Sequence, residues 1–480
     1  MIIDRRKFTL GAAAFSLGAL AGPLDAKVRR KPARMLDVIV LGAGASGLQT
    51  AWMLEQQGLK VKVLEGRQRV GGRIATLVDQ PGYPEMGFNS MADGYGRGID
   101  AAQRAGVELV EVGERYRFGK PSMLWINGKP LTRDDWAKFP GNPFPDALKT
   151  TMPGELVAKL IAQKNPLKDW TAWNDPASAQ LDISLRDFLK AQGLSDEAIR
   201  IGNDLSPYYG TNAADVSALM LEFNDGFVKA QFAAGPRSLA VNGGNIKLAE
   251  GMAKLLKGDV LLGKEVIAIT SSAASATVHC RDGSQFTARK VVCSLPFSTL
   301  RKVKILPGLK GPQALAVASL PYQPLSMVFL TATAPFWDED GLAPGMWTDG
   351  MAGNVMPQRF GATADEITGF IAQARGGLAN QWDSMGKDAV FAAVTGAIGT
   401  MRPSTKGKLR AAEFFSWKNE GFNRGDWAYF GPGHISGFVN QMAKPAGRIH
   451  FCGEHTATGA RGLEGAFESA ERVALEVLGA

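Results

Sequence analysis

Gly42-Ala43-Gly44-Ala45-Ser46-Gly47 spaces three glycines as a phosphate cradle does. In such a cradle Gly42 permits the tight turn, Gly44 lets backbone approach a pyrophosphate, and Gly47 lets a helix pack closely on a strand. Ala45 and Ser46 would open that helix, where unpaired N–H groups and the positive dipole end favour phosphate. Glu65 lies 23 residues beyond Gly42, at the distance from which a carboxylate accepts hydrogen bonds from a ribose diol. The elements needed to position these groups are present. Residues 36–41 form a short apolar run rich in branched side chains, which reads as a buried parallel strand. Residues 45–57 have helical composition and stop at Gly58, and 60–64 read as a second strand. A strand–turn–helix–strand unit of this kind binds a dinucleotide without saying which one.

The residues that follow are more specific. Glu65-Gly66-Arg67-Gln68-Arg69-Val70-Gly71-Gly72-Arg73 resembles the flavin monoamine oxidase family. Near the C-terminus, Gly453-Glu454-His455-Thr456, and then Gly462-Leu463-Glu464-Gly465-Ala466, are similar to the family's second flavin segment. The resemblance implies an α/β fold: a Rossmann-like FAD-binding domain with a discontinuous α+β substrate domain. It implies that Gly71, Gly72 and Arg73 lie near the flavin and pyrophosphate, with Gly66 and Arg67 in the same segment. It also implies that Val266 meets the adenine through its backbone, and that Glu454, after Gly453, bonds a ribityl hydroxyl. A helix opening at Gly462 and Leu463 would aim its N-terminus at the flavin, where its dipole favours developing negative charge. The FAD would be noncovalent, since about Gly425 stands where mitochondrial members have the linking cysteine.

The flavin segments are separated by long stretches, so the domains must be discontinuous. FAD-binding parts are expected at 35–95, 235–305 and 440–480, and the substrate domain at 96–234 and 306–439. Helices broken by Pro- and Gly-rich turns are expected between 130 and 230. Strands such as 325–332 would floor the substrate cavity. The chain has 480 residues, 45% of them hydrophobic, enough for two or three domains with large cores. Its net charge of +8 comes without a dense basic run interleaved with aromatics, which argues against nucleic-acid binding. Three cysteines without CxxC spacing argue against a metal or iron–sulfur site.

The family's chemistry is hydride transfer from a carbon beside nitrogen to flavin, followed by hydrolysis of the imine. Such a site needs aromatic walls, and Trp417, Phe422, Trp427 and Tyr429 cluster before the last flavin segment. Trp427 and Tyr429 are the first candidates for contact with a small-molecule amine, with Trp417 behind them. His434 reads mainly as a loop histidine and Cys452 as packing. The sequence also departs from the family pattern. No lysine occurs between Gly311 and Trp337, where the family often holds a water at flavin N5. The electron acceptor is therefore open between oxygen and a quinone or redox protein. Gly462 stands where monoamine oxidases have a cavity tyrosine, and Ser90 where L-amino-acid oxidases have a carboxylate-binding arginine. A flavin enzyme acting on C–C or C–O bonds, or a non-enzymatic FAD-stabilised protein, stays open, and so does a homodimer.

Arg5-Arg6-Lys7-Phe8-Thr9-Leu10, followed by the small apolar stretch 11–22, resembles a twin-arginine export signal over residues 1–26. The apolar stretch is too short for a transmembrane anchor, which takes about 20 residues. The expected destination is the periplasm.

Overall fold

The computed structural model describes residues 35–117 and 123–479. The expected export segment, 1–26, lies outside them.

Strand Leu36–Leu41 is the axis of an eight-stranded sheet. It pairs in parallel with Val61–Leu64 on one side and with Gln285–Cys293 on the other. Val260–Leu261 extends the parallel array beyond Val61–Leu64, and Ile449–Phe451 pairs in parallel with Gln285–Cys293. Val38 through Leu41 are buried, as a strand covered on both faces requires. An antiparallel meander, Val266–Ser271 and Ala276–Cys280 running into Gln285–Cys293, widens the sheet. Helices Ala45–Gln56 and Gly462–Leu478 share one apolar core against the parallel strands. Three distant chain segments therefore build one sheet.

A second sheet of seven strands is built from Met123–Leu131 and from residues 325–416. Its centre is antiparallel: Leu325–Ala332 lies between Leu409–Ser416 and Gly369–Arg375, and Asn354–Gln358 follows. The registers set Leu325 opposite Arg375 and Met327 opposite Gln373, which in turn faces Asn354. Because side chains alternate across a strand, these residues share one face of the sheet. That face turns toward the cavity described below. Helices between residues 133 and 233, the longest of them Ala218–Ala233, pack around Trp136, Trp173 and Phe223 in a core that also takes in Ile39, Leu41 and Leu64 of the first sheet. No helix among the described residues is long and apolar enough to cross a membrane.

Candidate active site

A cavity of about 960 Å³ runs from the first glycine turn to the second sheet, at the upper end of the range for clefts that hold a small molecule or cofactor. At one end, Gly42, Gly44, Ala45 and Ser46 line its wall. Gly42 has φ +97, in the left-handed region, and a Cβ there would lie 2.6 Å from Ser294 Oγ. Gly47 does not reach the cavity. A Cβ on it would meet the Gly42 carbonyl at 2.1 Å, so its part is close helix–strand packing. The helix that opens at Ala45 has no side-chain cap, and its first N–H groups are left for a ligand.

Glu65 is buried in the same wall. Its Oε2 accepts the Ala43 N–H at 2.9 Å and its Oε1 accepts the Arg67 N–H at 2.9 Å, which fixes the carboxylate across the turn. Arg67 is held between Glu65 and Glu420. Its guanidinium lies 5.2 Å from the centre of the Phe422 ring. Phe422 thus belongs to this end of the cavity and packs on Gly66, away from the wall that Trp427 forms. Gly71, Gly72 and Val266 complete this end. Gly71 donates its N–H to the Ala43 carbonyl at 2.8 Å, so the two glycine turns touch.

The middle of the cavity is an ion cluster. Arg73 donates to Glu454 Oε1 at 2.8 Å and to the Asp426 carbonyl at 2.8 Å. The Ala428 N–H also donates to Glu454 Oε1, at 2.9 Å, while Glu454 Oε2 is buried without a hydrogen-bond partner. Burial alone would raise the Glu454 carboxyl, but the Arg73 and Arg461 guanidiniums outweigh it and hold it below the ordinary carboxylate range. Gly453 lies behind the wall, at φ +124 over the His455 ring. Gly462 and Leu463 line the cavity at the start of the long C-terminal helix, which is also uncapped.

The far end is aromatic and polar. The Trp427 ring stacks on Tyr208 at 5.0 Å between centroids and 21° between planes. Its indole N–H donates to the Tyr208 carbonyl at 3.2 Å. Arg375 lies over both rings, 5.0 Å from Tyr208 and 5.8 Å from Trp427. Burial pushes the Asp426 carboxyl up to about 7; Arg73 and Arg375 resist this and Glu454 adds to it. Leu325 and Met327 supply the sheet face beneath.

The structure does not bring all the expected aromatics here. Trp417 is fully buried behind the cavity wall, where its indole N–H donates to the Met86 carbonyl at 2.6 Å. It braces the loop that lines the cavity and cannot touch a substrate. Tyr429 is also a core residue, its hydroxyl 3.5 Å from Asp215 Oδ2. The indole and phenol each spend their polar atom inward, which explains why an aromatic cluster in sequence does not make a cavity wall. His434 accepts the Gly431 N–H at 3.2 Å through Nδ1 and stays outside the cavity, as does Cys452. Sequence reasoning missed Tyr208, Gln373, Arg375 and Asp426. Only Asp426 carried a local signal, by adjoining Gly425.

The model of the flavin containing amine oxidoreductases matches residues 45–478. The chain belongs to that family. Flavin-containing amine oxidase B of Cavia porcellus is 26% identical, over 92% of this chain and 86% of that protein. An L-amino-acid oxidase of Protobothrops flavoviridis is 24% identical, over 89% and 86%. Among solved structures, putrescine oxidase bound to putrescine superposes with a TM-score of 0.71 at 23% identity, over 93% of this chain and 99% of that one. Cyclohexylamine oxidase from Brevibacterium oxydans gives 0.72 at 20%, over 92% and 98%. At that identity the superpositions establish the fold: a Rossmann-like FAD domain joined to a discontinuous α+β domain.

The protein is accordingly an FAD-dependent oxidoreductase, and its residues fit the cofactor. Two uncapped helix N-termini open on one cavity, suited to a pyrophosphate at one end and an electron-rich ring at the other. Between them, Glu454 Oε2 is a buried acceptor lacking a donor, which a hydroxyl would satisfy.

Proposed function

We propose that the enzyme oxidises the carbon–nitrogen bond of a primary or secondary amine. The observation that carries this reading is Asp426, a buried carboxyl in the cavity wall beside the Trp427–Tyr208 stack, with no hydrogen bond to its oxygens among the described residues. FAD, when bound, would supply the acceptor for a hydride from the carbon beside nitrogen. For that hydride to leave, the nitrogen lone pair must be free to form the C=N bond. An amine arrives mostly as ammonium at neutral pH, since an alkylammonium holds its proton to about pH 10. Asp426 takes that proton. A carboxyl that titrates near neutrality is a far better acceptor than one at its ordinary value, and the same buried surroundings lower the ammonium's hold on it. Trp427 and Tyr208 present flat faces that orient the substrate and keep water from the reacting carbon. The imine then hydrolyses to a carbonyl compound and a free amine or ammonia.

In this reading Gly42, Gly44, Ala45 and Ser46 hold the pyrophosphate and Glu65 the ribose. Gly71, Gly72 and Arg73 border the flavin, Val266 meets the adenine, and Glu454 takes a ribityl hydroxyl. Leu325 and Met327 are the residues that the strand preceding Pro335-Phe336-Trp337 turns toward the cavity, and both are apolar. This favours a quinone or redox protein over oxygen as the electron acceptor. For residues 1–26 we propose twin-arginine export to the periplasm. Replacing Arg5 and Arg6 by Lys should hold the protein in the cytoplasmic fraction.

The test is anaerobic. The oxidised flavin spectrum of the holoenzyme is followed on mixing with amines and with non-amine aromatics, and then on opening to air. Bleaching by an amine with slow return of colour is expected. Bleaching only by a non-amine would transfer the reading to C–C or C–O oxidation.

A further inference from the structure

Arg375 differs from three other arginines that line the cavity. Arg67 is spent on Glu65 and Glu420, Arg73 on Glu454, and Arg281 on Glu265. Arg375 has no ion pair or side-chain hydrogen bond among the described residues, and its Nε is buried without a partner. It is held by ring contacts instead, its guanidinium lying against the Tyr208–Trp427 stack. This leaves the edge of the guanidinium, with its N–H groups, for something else. Two residues earlier on the same strand face, Gln373 is also buried in the cavity wall, and its Oε1 has no partner. Asn354 lies opposite Gln373 in the next strand and lines the same cavity. A stripe of unspent polar groups thus crosses an otherwise apolar floor of Leu325, Met327 and Ile371.

A guanidinium whose Nε is shut from water without a partner is costly, and Asp426 offsets this only through space, because no ion pair forms between the two. A ligand that brings a planar anion removes the cost. Carboxylate matches the guanidinium fork with two parallel charge-assisted bonds.

We propose that Arg375, stacked on Tyr208 and Trp427, is an anion subsite for a carboxylate carried by the amine substrate. The proposal rests on the amine-oxidation reading and names its substrate class: an amine that also bears a carboxylic acid. The substrate would lie with its nitrogen toward Asp426 and its carboxylate on Arg375, opposite charges meeting opposite charges. It departs from the expectation drawn from Ser90. The arginine that the sequence lacks at that place is supplied by a different strand.

The test is binding without chemistry. The holoenzyme is titrated with phenylacetate and, separately, with phenylacetamide, which has the same shape without charge. The perturbation of the oxidised flavin spectrum is read in each case. Phenylacetate is expected to bind at least about tenfold more tightly than the amide, the scale of one charge-assisted contact. Arg375→Gln should bring the two within about twofold of one another, and Arg375→Lys, which keeps the charge and loses the fork, should fall between. Equal affinities in the native holoenzyme would overturn the subsite, a result that needs no variant to fold. So would a preference for phenylacetate that survives in Arg375→Gln of normal flavin content. Because phenylacetate carries no amine, this outcome is separate from the reading on which the proposal rests, which fails if no amine bleaches the flavin.

Discussion

Asp426 decides between a cavity that merely holds an amine and one that prepares it for oxidation. Desolvation raises its carboxyl, and the Arg73 and Arg375 guanidiniums keep the rise in check, so that it changes charge near pH 7. The sign follows directly. Above about pH 7 the group is a carboxylate and can take the ammonium proton; below, it already holds one. Flavin reduction by an amine should therefore slow as pH falls through about 7. In Asp426→Asn this limb should vanish and the rate drop about 10²-fold, the usual worth of a positioned proton acceptor. A second limb at higher pH, set by the amine itself, should remain in both. Anaerobic stopped-flow across that range checks it, and an unchanged low-pH limb in Asp426→Asn would remove the residue from the chemistry.

At the scale of elements, a half-buried carboxyl, Glu85, ties the chain just after Gly71-Gly72-Arg73 to a helix far along the sequence. Thr76 Oγ1 donates to both Glu85 oxygens, at 2.9 and 2.8 Å, and the Asn245 N–H donates to Oε1 at 2.7 Å, just before helix Ile246–Lys254. Burial nonetheless wins over these bonds and raises the Glu85 carboxyl to about 8. A raised folded-state value means that stability is fullest below the unfolded value near 4.5 and is lost as pH climbs toward 8. Glu85→Gln keeps an acceptor and removes the titration. Its melting temperature should fall less than the native protein's between about pH 5 and 8, by a few degrees. Identical slopes would mean that the tie is insensitive to charge. The same scale explains what the sequence made legible. The strand at Leu36–Leu41, the glycine turn and the helix at Ala45–Gln56 follow one another in the chain, so local periodicity shows them. Arg375 and Met327 share a cavity face only because the two strands pair in one register, and no local pattern carries that. Tyr208 reaches Trp427 across more than two hundred residues. Trp417 and Tyr429 misled because apolar bulk near a site marks core as often as wall.

For the molecule as a whole, the cavity joins pieces of chain that no single segment could assemble. Its lining runs from Gly42 to Ala466 and draws on both large sheets. A ligand filling it binds only the folded arrangement, and so stabilises it by mass action. None of the three cysteines lines the cavity, and all three are free and buried, so no thiol is placed to bond the flavin ring. Acid precipitation should thus release all the FAD into the supernatant. Gentle removal of FAD should give an apoprotein that melts several degrees lower. Restoring FAD to about 100 times its dissociation constant should return about 2.7 kcal/mol of stability. The shift should grow with the logarithm of FAD concentration, which a covalent flavin could not show. Flavin that stays with the acid pellet, or a melting temperature indifferent to added FAD, would mean that the cofactor is held by a bond this cavity does not offer.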